Sequence, residues 1–142
     1  MNNGLYGMTG GQVAPTTPIG QTTTTTPYGN VEDEFDLCRL AQTAGATSLA
    51  RWTTAHPHQA LKSIIPGTRK KGAAFIEILS QCPVHRKTSP VEMFRNMKKI
   101  TVPLKKSAAE PAAGKIPVGE FCDIDKTDWI ERYQRIMDQL SE

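Results

Sequence analysis

Between Glu32 and Lys98 the apolar residues recur at helical spacing, then in a short run, then at helical spacing again. That alternation constrains the fold more than any other feature of the chain. Strands separated by helical segments pair in parallel through crossover connections. Phe35, Leu37, Cys38, Ala41 and Ala44 share one broad helical face, and Gly45 follows as a stop. Thr47 to Trp52 reads as a short strand. Pro57 suits the first turn of a second helix with Ala60, Leu61, Ile64 and Ile65 as its stripe, interrupted by Pro66-Gly67. Ala73 to Leu79 is apolar except for Glu77, which predicts a strand covered on both faces. Ser89-Pro90-Val91-Glu92 has capping-box spacing and opens a helix to about Lys98. The expected class is therefore α/β with a mostly parallel sheet. Two strands are too few for a stable open sheet of this kind. Residues 1–5 are expected to supply the end of a third.

The segment ahead of this alternation has no periodicity. Met1 to Gln12 holds paired asparagines and four glycines, Gly4, Gly7, Gly10 and Gly11. Thr22 to Thr26 is a threonine run. Glycines let a backbone pass close to a ligand, and successive N–H groups can form an anion-binding concavity. A carboxamide oxygen and backbone carbonyls suit magnesium, which commonly bridges protein oxygens and phosphates. An asparagine and a glycine loop at the carboxyl end of a strand can thus make a diphosphate–magnesium site. The two standard phosphate fingerprints are absent. A low-complexity leader is the other reading of these residues.

Composition narrows the classes. The net charge is +3 and the basic residues are dispersed, with Arg69-Lys70-Lys71, Lys98-Lys99 and Lys105-Lys106 the densest groups. Such groups usually form a solvated face, and no recognition motif points to nucleic acid. No apolar run approaches the ~18 residues of a membrane span. Three cysteines, Cys38, Cys82 and Cys122, make an odd count without paired spacing. That favours a reducing, cytoplasmic setting over a disulfide framework. Cys38 reads as a small buried residue, and His56 and His58 as capping or surface residues.

Residues 103–124 read as a linker rich in Pro, Ala, Gly and Lys. Asp125 or Thr127 is expected to cap a final helix. Trp129, Tyr133, Ile136, Met137 and Leu140 lie along one face of it. The stripe packs either on the chain's own core or on a partner subunit.

The opening words also carry a resemblance. NNGLYGMTGGQ (Asn2 to Gln12), PTTP (Pro15 to Pro18), TTPYGN (Thr25 to Asn30), FDLCRLAQTAGATSLAR (Phe35 to Arg51) and FIEILSQCP (Phe75 to Pro83) resemble the β subunit of 2-oxoacid:ferredoxin oxidoreductases, most closely the 2-oxoglutarate type. The resemblance implies the C-terminal half of a Rossmann-like thiamine-diphosphate-binding domain over residues 1–102, with 1–31 as its cofactor and substrate loop. Residues 103–142 would be a linker and an amphipathic helix. It further implies magnesium bound by the Asn3 side chain and the Leu5 carbonyl. Gly4, Tyr6 and the loop to Gln12 would wrap the diphosphate, with Thr9 as a hydroxyl donor. Cys82, in its Q-C-P context, would be one ligand of a four-iron, four-sulfur cluster. The family's magnesium aspartate and its other cluster cysteines precede the Asn-Asn pair and have no counterpart in this sequence.

The implied reaction is oxidative decarboxylation of a 2-oxoacid with coenzyme A and ferredoxin, shared with an α subunit that carries the activating glutamate. No catalytic acid or base is assigned to this chain. Met1 is then an internal methionine of a longer frame or the start of a truncated gene, the isolated chain is expected to be inactive, and the loop from Pro15 to Asn30 is expected to be mobile. The competing expectation is a small non-enzymatic interaction module or a decayed gene product.

Overall fold

The computed structural model describes residues 1–104 and 114–141. Helix α1 spans Leu37–Thr43, strand β1 Ser48–Thr53, helix α2 Pro57–Gly67 and strand β2 Ala74–Leu79. A one-turn helix α3, Pro83–Arg86, precedes α4, Pro90–Ile100. Strand β3 is Thr101–Pro103, β4 is Ile116–Asp123, and helix α5 is Trp129–Leu140. The strands form one sheet in the order β2-β1-β4-β3. β1 pairs with β2 in parallel, β3 with β4 in parallel, and β1 with β4 antiparallel. The α/β class and the mostly parallel sheet are as the alternation implies.

Each helix start has a chemical cause. Asp36 caps α1, accepting from the backbone N–H of Cys38 and Arg39. Ser89 and Glu92 form the expected capping box on α4. α5 is capped by Asp128 with Glu131, not by Asp125 or Thr127. Those two are engaged elsewhere: Asp125 pairs with Lys70 at 2.8 Å, and the Thr127 hydroxyl accepts from Arg132.

The core centres on β1. Leu49 and Ala50 are almost wholly buried, and Cys38 of α1, Ala60 of α2, Met97 of α4 and Val118 of β4 are buried too. Trp52 donates its indole N–H to Ser63 at 2.8 Å, and Ser63 donates on to Glu120 at 3.0 Å, tying β1, α2 and β4 together.

Three expectations change. Ile116–Asp123 is not linker but an inner strand between β1 and β3. The sheet therefore crosses the boundary drawn at residue 102. Residues 105–113 of the linker reading lie outside the described residues. β2 is not covered on both faces either. Its apolar residues are half-buried or exposed, and Glu77 is its buried residue. Finally, α5 buries none of its residues, and Trp129 is 74% exposed. Its stripe does not pack on the chain's own core. Trp129 and Tyr133 instead stack on each other, with ring centroids 5.3 Å apart.

The third strand is present as a single step. Asn2 forms a parallel bridge with Leu79, donating its N–H to Ile78 and accepting from Ser80. This seats the asparagine pair at the carboxyl end of β2.

Candidate functional site

Asn2 and Asn3 alternate across that bridge, so they have opposite fates. Asn2 turns inward. Its Nδ2 donates to Glu77 Oε1 at 2.7 Å, and its Oδ1 accepts from Gly4 N–H at 2.9 Å and from the Thr16 hydroxyl at 2.8 Å. Asn3 is exposed at the rim, where the Ser80 hydroxyl donates to its Oδ1. Open α/β sheets bind ligands outside the carboxyl ends of their parallel strands, which is where this residue sits.

The turn after it depends on glycine. Gly4 has φ +66°, in the left-handed region that costs any residue with a Cβ. Its carbonyl accepts from the buried Thr17 hydroxyl at 2.6 Å. The Leu5 side chain is buried, and the Leu5 carbonyl accepts no hydrogen bond among the described residues. A backbone carbonyl and a carboxamide oxygen are both donor types that suit a hard cation. Asn3 and Leu5 are thus of residue and donor types compatible with a magnesium-bound diphosphate.

Tyr6 to Gln12 closes as a small antiparallel loop, with Tyr6 N–H donating to Gln12 and Gly11 N–H to Tyr6. Tyr6 is 54% exposed. Thr9 is also exposed, but its hydroxyl donates to Gln12 Oε1 at 2.7 Å and so stabilises the loop tip. The loop rests on α3, an element the sequence did not announce. A Cβ on Gly7 would lie 3.7 Å from Cys82 Sγ, and one on Gly11 would overlap the His85 ring. His85 Nε2 lies 3.1 Å from the Gly7 carbonyl oxygen. Four residues are too short for a periodic signal, and only Pro83 hinted at a helix start.

The following loop is hydrogen-bonded along its length. Asn30 is buried and donates to the Thr17 carbonyl at 2.8 Å, while its own carbonyl accepts from Gly20 at 2.7 Å. Thr25 accepts from Val13 N–H, and Thr24 N–H donates to Gly11. The threonine run therefore braces the glycine loop.

Behind Asn2 lies a buried charge network that sequence reasoning missed. Arg51 Nε donates to Glu77 Oε2 at 2.6 Å and Arg51 Nη2 to Asp36 Oδ1 at 2.5 Å. Among the described residues no buried side-chain nitrogen or oxygen lacks a partner. Burial acts to lower the Arg51 pKa, but the hydrogen bond and charge of Glu77 outweigh it and raise it. Burial pushes the Asp36 carboxyl up, and the Arg51 charge, aided by backbone N–H donors, brings it below the usual carboxylate range. Glu34 nearby is raised, chiefly by burial. Burial, with the Glu77 charge adding to it, pushes the Cys38 thiol up to about 12, so it is an unreactive buried thiol. Asn3, Gly4, Glu77, Arg51, Ser80 and Arg86 are among the residues lining a cleft of about 320 Å³.

The remaining residues are less telling. His56 hydrogen-bonds Thr53 through Nδ1, and its pKa is lowered by burial and then by Lys98. Among the described residues no three His, Cys, Asp or Glu side chains gather to hold a metal ion. A cubane cluster needs four ligands, and no such set gathers among the described residues. Among the described residues no helix is long and apolar enough to cross a membrane.

Comparison with known proteins identifies the family. Residues 1–78 match the family described as "Thiamine pyrophosphate enzyme, C-terminal TPP binding domain". The chain is 47% identical to 2-oxoglutarate synthase subunit KorB of Methanocaldococcus jannaschii, over 99% of this chain and 55% of that one. It is 43% identical to the subunit of the same name from Methanothermobacter marburgensis, over 99% of this chain and 52% of that one. A solved structure of 2-oxoglutarate:ferredoxin oxidoreductase from Magnetococcus marinus, with 2-oxoglutarate, coenzyme A and succinyl-CoA bound, superposes with a TM-score of 0.80 at 26% identity. That superposition covers 99% of this chain and 51% of that one. The chain thus spans about half the length of the relatives it matches. The resemblance read from the opening words is borne out by these relatives. More than half of the sequence fits one family description, the sheet is of the matching kind, and the glycine loop lies at its carboxyl rim: the chain belongs to the thiamine pyrophosphate enzymes, as a C-terminal thiamine-pyrophosphate-binding domain.

Proposed function

We propose that this chain carries the thiamine-diphosphate-binding part of the β subunit of a 2-oxoacid:ferredoxin oxidoreductase, with 2-oxoglutarate as the 2-oxoacid. The observation that carries the reading is similarity along nearly the whole chain to subunits named for 2-oxoglutarate synthase. When bound, thiamine diphosphate supplies an electron sink for decarboxylating the 2-oxoacid. The tasks of this chain are anchoring and orientation. Asn3 Oδ1 and the Leu5 carbonyl hold the magnesium ion that neutralises the diphosphate. The Gly4 turn keeps a side chain out of the way, and the loop from Tyr6 through Thr9 would cover the diphosphate.

Cys82 contributes one thiolate to a four-iron, four-sulfur cluster whose remaining ligands come from elsewhere in the assembly. Its Sγ beneath Gly7 supports this, because a cluster there would lie next to the cofactor loop. The partners are an α subunit, coenzyme A and ferredoxin, in a reducing cytoplasm that suits three free cysteines.

The test is the magnesium requirement of the assembled oxidoreductase. Asn3→Ala is expected to raise the magnesium concentration needed for thiamine diphosphate binding by more than about tenfold, since even outer partners of metal sites are worth that much. Asn3→Asp keeps an oxygen ligand and is expected to retain binding. An unchanged magnesium dependence in Asn3→Ala would remove Asn3 from the site.

A further inference from the structure

Asn2 and Glu77 are 75 residues apart, yet they make a closed set of hydrogen bonds around the cofactor turn. The Glu77 carboxylate only accepts. One of its oxygens takes Asn2 Nδ2–H and the other takes Arg51 Nε–H. That fixes which way the Asn2 carboxamide faces. Its NH2 group must meet the carboxylate, so its oxygen must face the Gly4 N–H and the Thr16 hydroxyl. A flipped carboxamide would oppose donor to donor at Gly4 and acceptor to acceptor at Glu77. Gly4, held by its N–H to Asn2 and by its carbonyl to Thr17, then keeps φ at +66°. The backbone runs directly from this residue to the free Leu5 carbonyl, and Asn3 lies between the two ends of the clamp.

We propose that Glu77, oriented by Arg51, is a positioning residue for the magnesium–diphosphate turn: through the Asn2 carboxamide it sets the Gly4 turn that presents Asn3 Oδ1 and the Leu5 carbonyl. This rests on the cofactor reading above. Arg51 contributes by holding the carboxylate from behind, and its second contact, to Asp36, ties the network to the start of α1. A buried charge pair in an otherwise half-exposed strand is costly unless its hydrogen bonds are complete. Here they are complete only because Asn2 supplies the last donor.

The polarity of the Asn2–Glu77 contact makes the idea testable. Glu77→Gln keeps the size but places an NH2 group against either Asn2 Nδ2 or Arg51 Nε. Exchanging both partners, Asn2→Asp with Glu77→Gln, reverses the donor and restores every hydrogen bond, with Arg51 now facing a neutral oxygen and the negative charge moved to position 2. The introduced carboxamide can donate to the introduced carboxylate and accept from Arg51, while that carboxylate still accepts from Gly4 and Thr16. Amide exchange at Gly4, followed by 15N NMR in the 142-residue chain, reads the turn without any cofactor. Protection at Gly4 is expected to fall at least about tenfold in Glu77→Gln and to return in the double variant, with the β1 amides unchanged. Magnesium affinity of the assembled oxidoreductase is expected to fall and recover in parallel, by about 10- to 100-fold as for other outer partners.

Unchanged Gly4 protection in Glu77→Gln would overturn the proposal. So would a double variant that regains the fold without regaining Gly4 protection. Loss of the fold in both variants would overturn it too, because the pair would then hold the sheet and not the turn. If the wild-type assembly needs no thiamine diphosphate, the cofactor reading fails while the Gly4 measurement still judges the clamp.

Discussion

Asp36 serves two masters, and its titration exposes the conflict. It caps α1 through Oδ1 and meets the Arg51 guanidinium with the same atom. Burial pushes its pKa up, but Arg51 and the backbone donors together outweigh that and hold it below 3.8. A carboxylate with a depressed folded pKa adds stability above its unfolded pKa and loses it as pH falls through the folded value. Asp36→Asn is therefore expected to destabilise the chain at pH 7, and the difference from wild type should shrink once pH falls below about 3.8. Urea denaturation of both proteins at neutral and acid pH checks this. A constant difference across that range would mean that the Asp36 charge is not what the variant loses. Little of this network was legible in the sequence. Glu77 stood out only as the odd residue in an apolar run, and nothing local marks Arg51, which lies 26 residues earlier, as its partner. Asn3, by contrast, was legible because its words are long and unusual.

Elements were legible where they are made locally and illegible where a distant partner makes them. α1, α2 and α4 announce themselves through caps, prolines and stripes, and the structure forms them there. β4 is different. Pro117 and Gly119 disfavour a strand locally, yet pairing with β1 on one side and β3 on the other recruits the segment. α3 is too short to have a period, but it supports the glycine loop from below. That support predicts a specific sensitivity. Gly11 has φ +83° and lies directly against the His85 ring. Gly11→Ala is expected to cost at least ~1 kcal/mol, the usual penalty for a Cβ in this backbone region, plus the displacement of His85. Adding His85→Ala should recover the second part and not the first. Chemical denaturation of the single and double variants separates the two. Full recovery in the double variant would mean that the backbone at Gly11 tolerates a side chain.

At the scale of the whole chain, the described surfaces and the donor set point the same way. α5 exposes Trp129, Ile130, Tyr133, Ile136 and Leu140, and the apolar residues of β2 are only half covered. A strand of that composition is normally buried on both faces. Lys70 pairs with Asp123 and Asp125, and Lys71 pairs with Glu131 of α5. Magnesium demands near-octahedral coordination, usually with at least one carboxylate besides the substrate oxygens. Asn3 and Leu5 offer two neutral oxygens, and Glu77, one of the carboxylates lining the same cleft as Asn3, is already committed to Arg51 and Asn2. Neutral donors alone make a weak magnesium site. The chain alone is therefore expected to give no micromolar binding of thiamine diphosphate in the presence of magnesium, whereas the assembled oxidoreductase should bind it. Isothermal titration of each measures the difference. Micromolar binding by these 142 residues alone would show that the two oxygens suffice, and that the glycine loop and its threonine brace supply the rest of the affinity themselves.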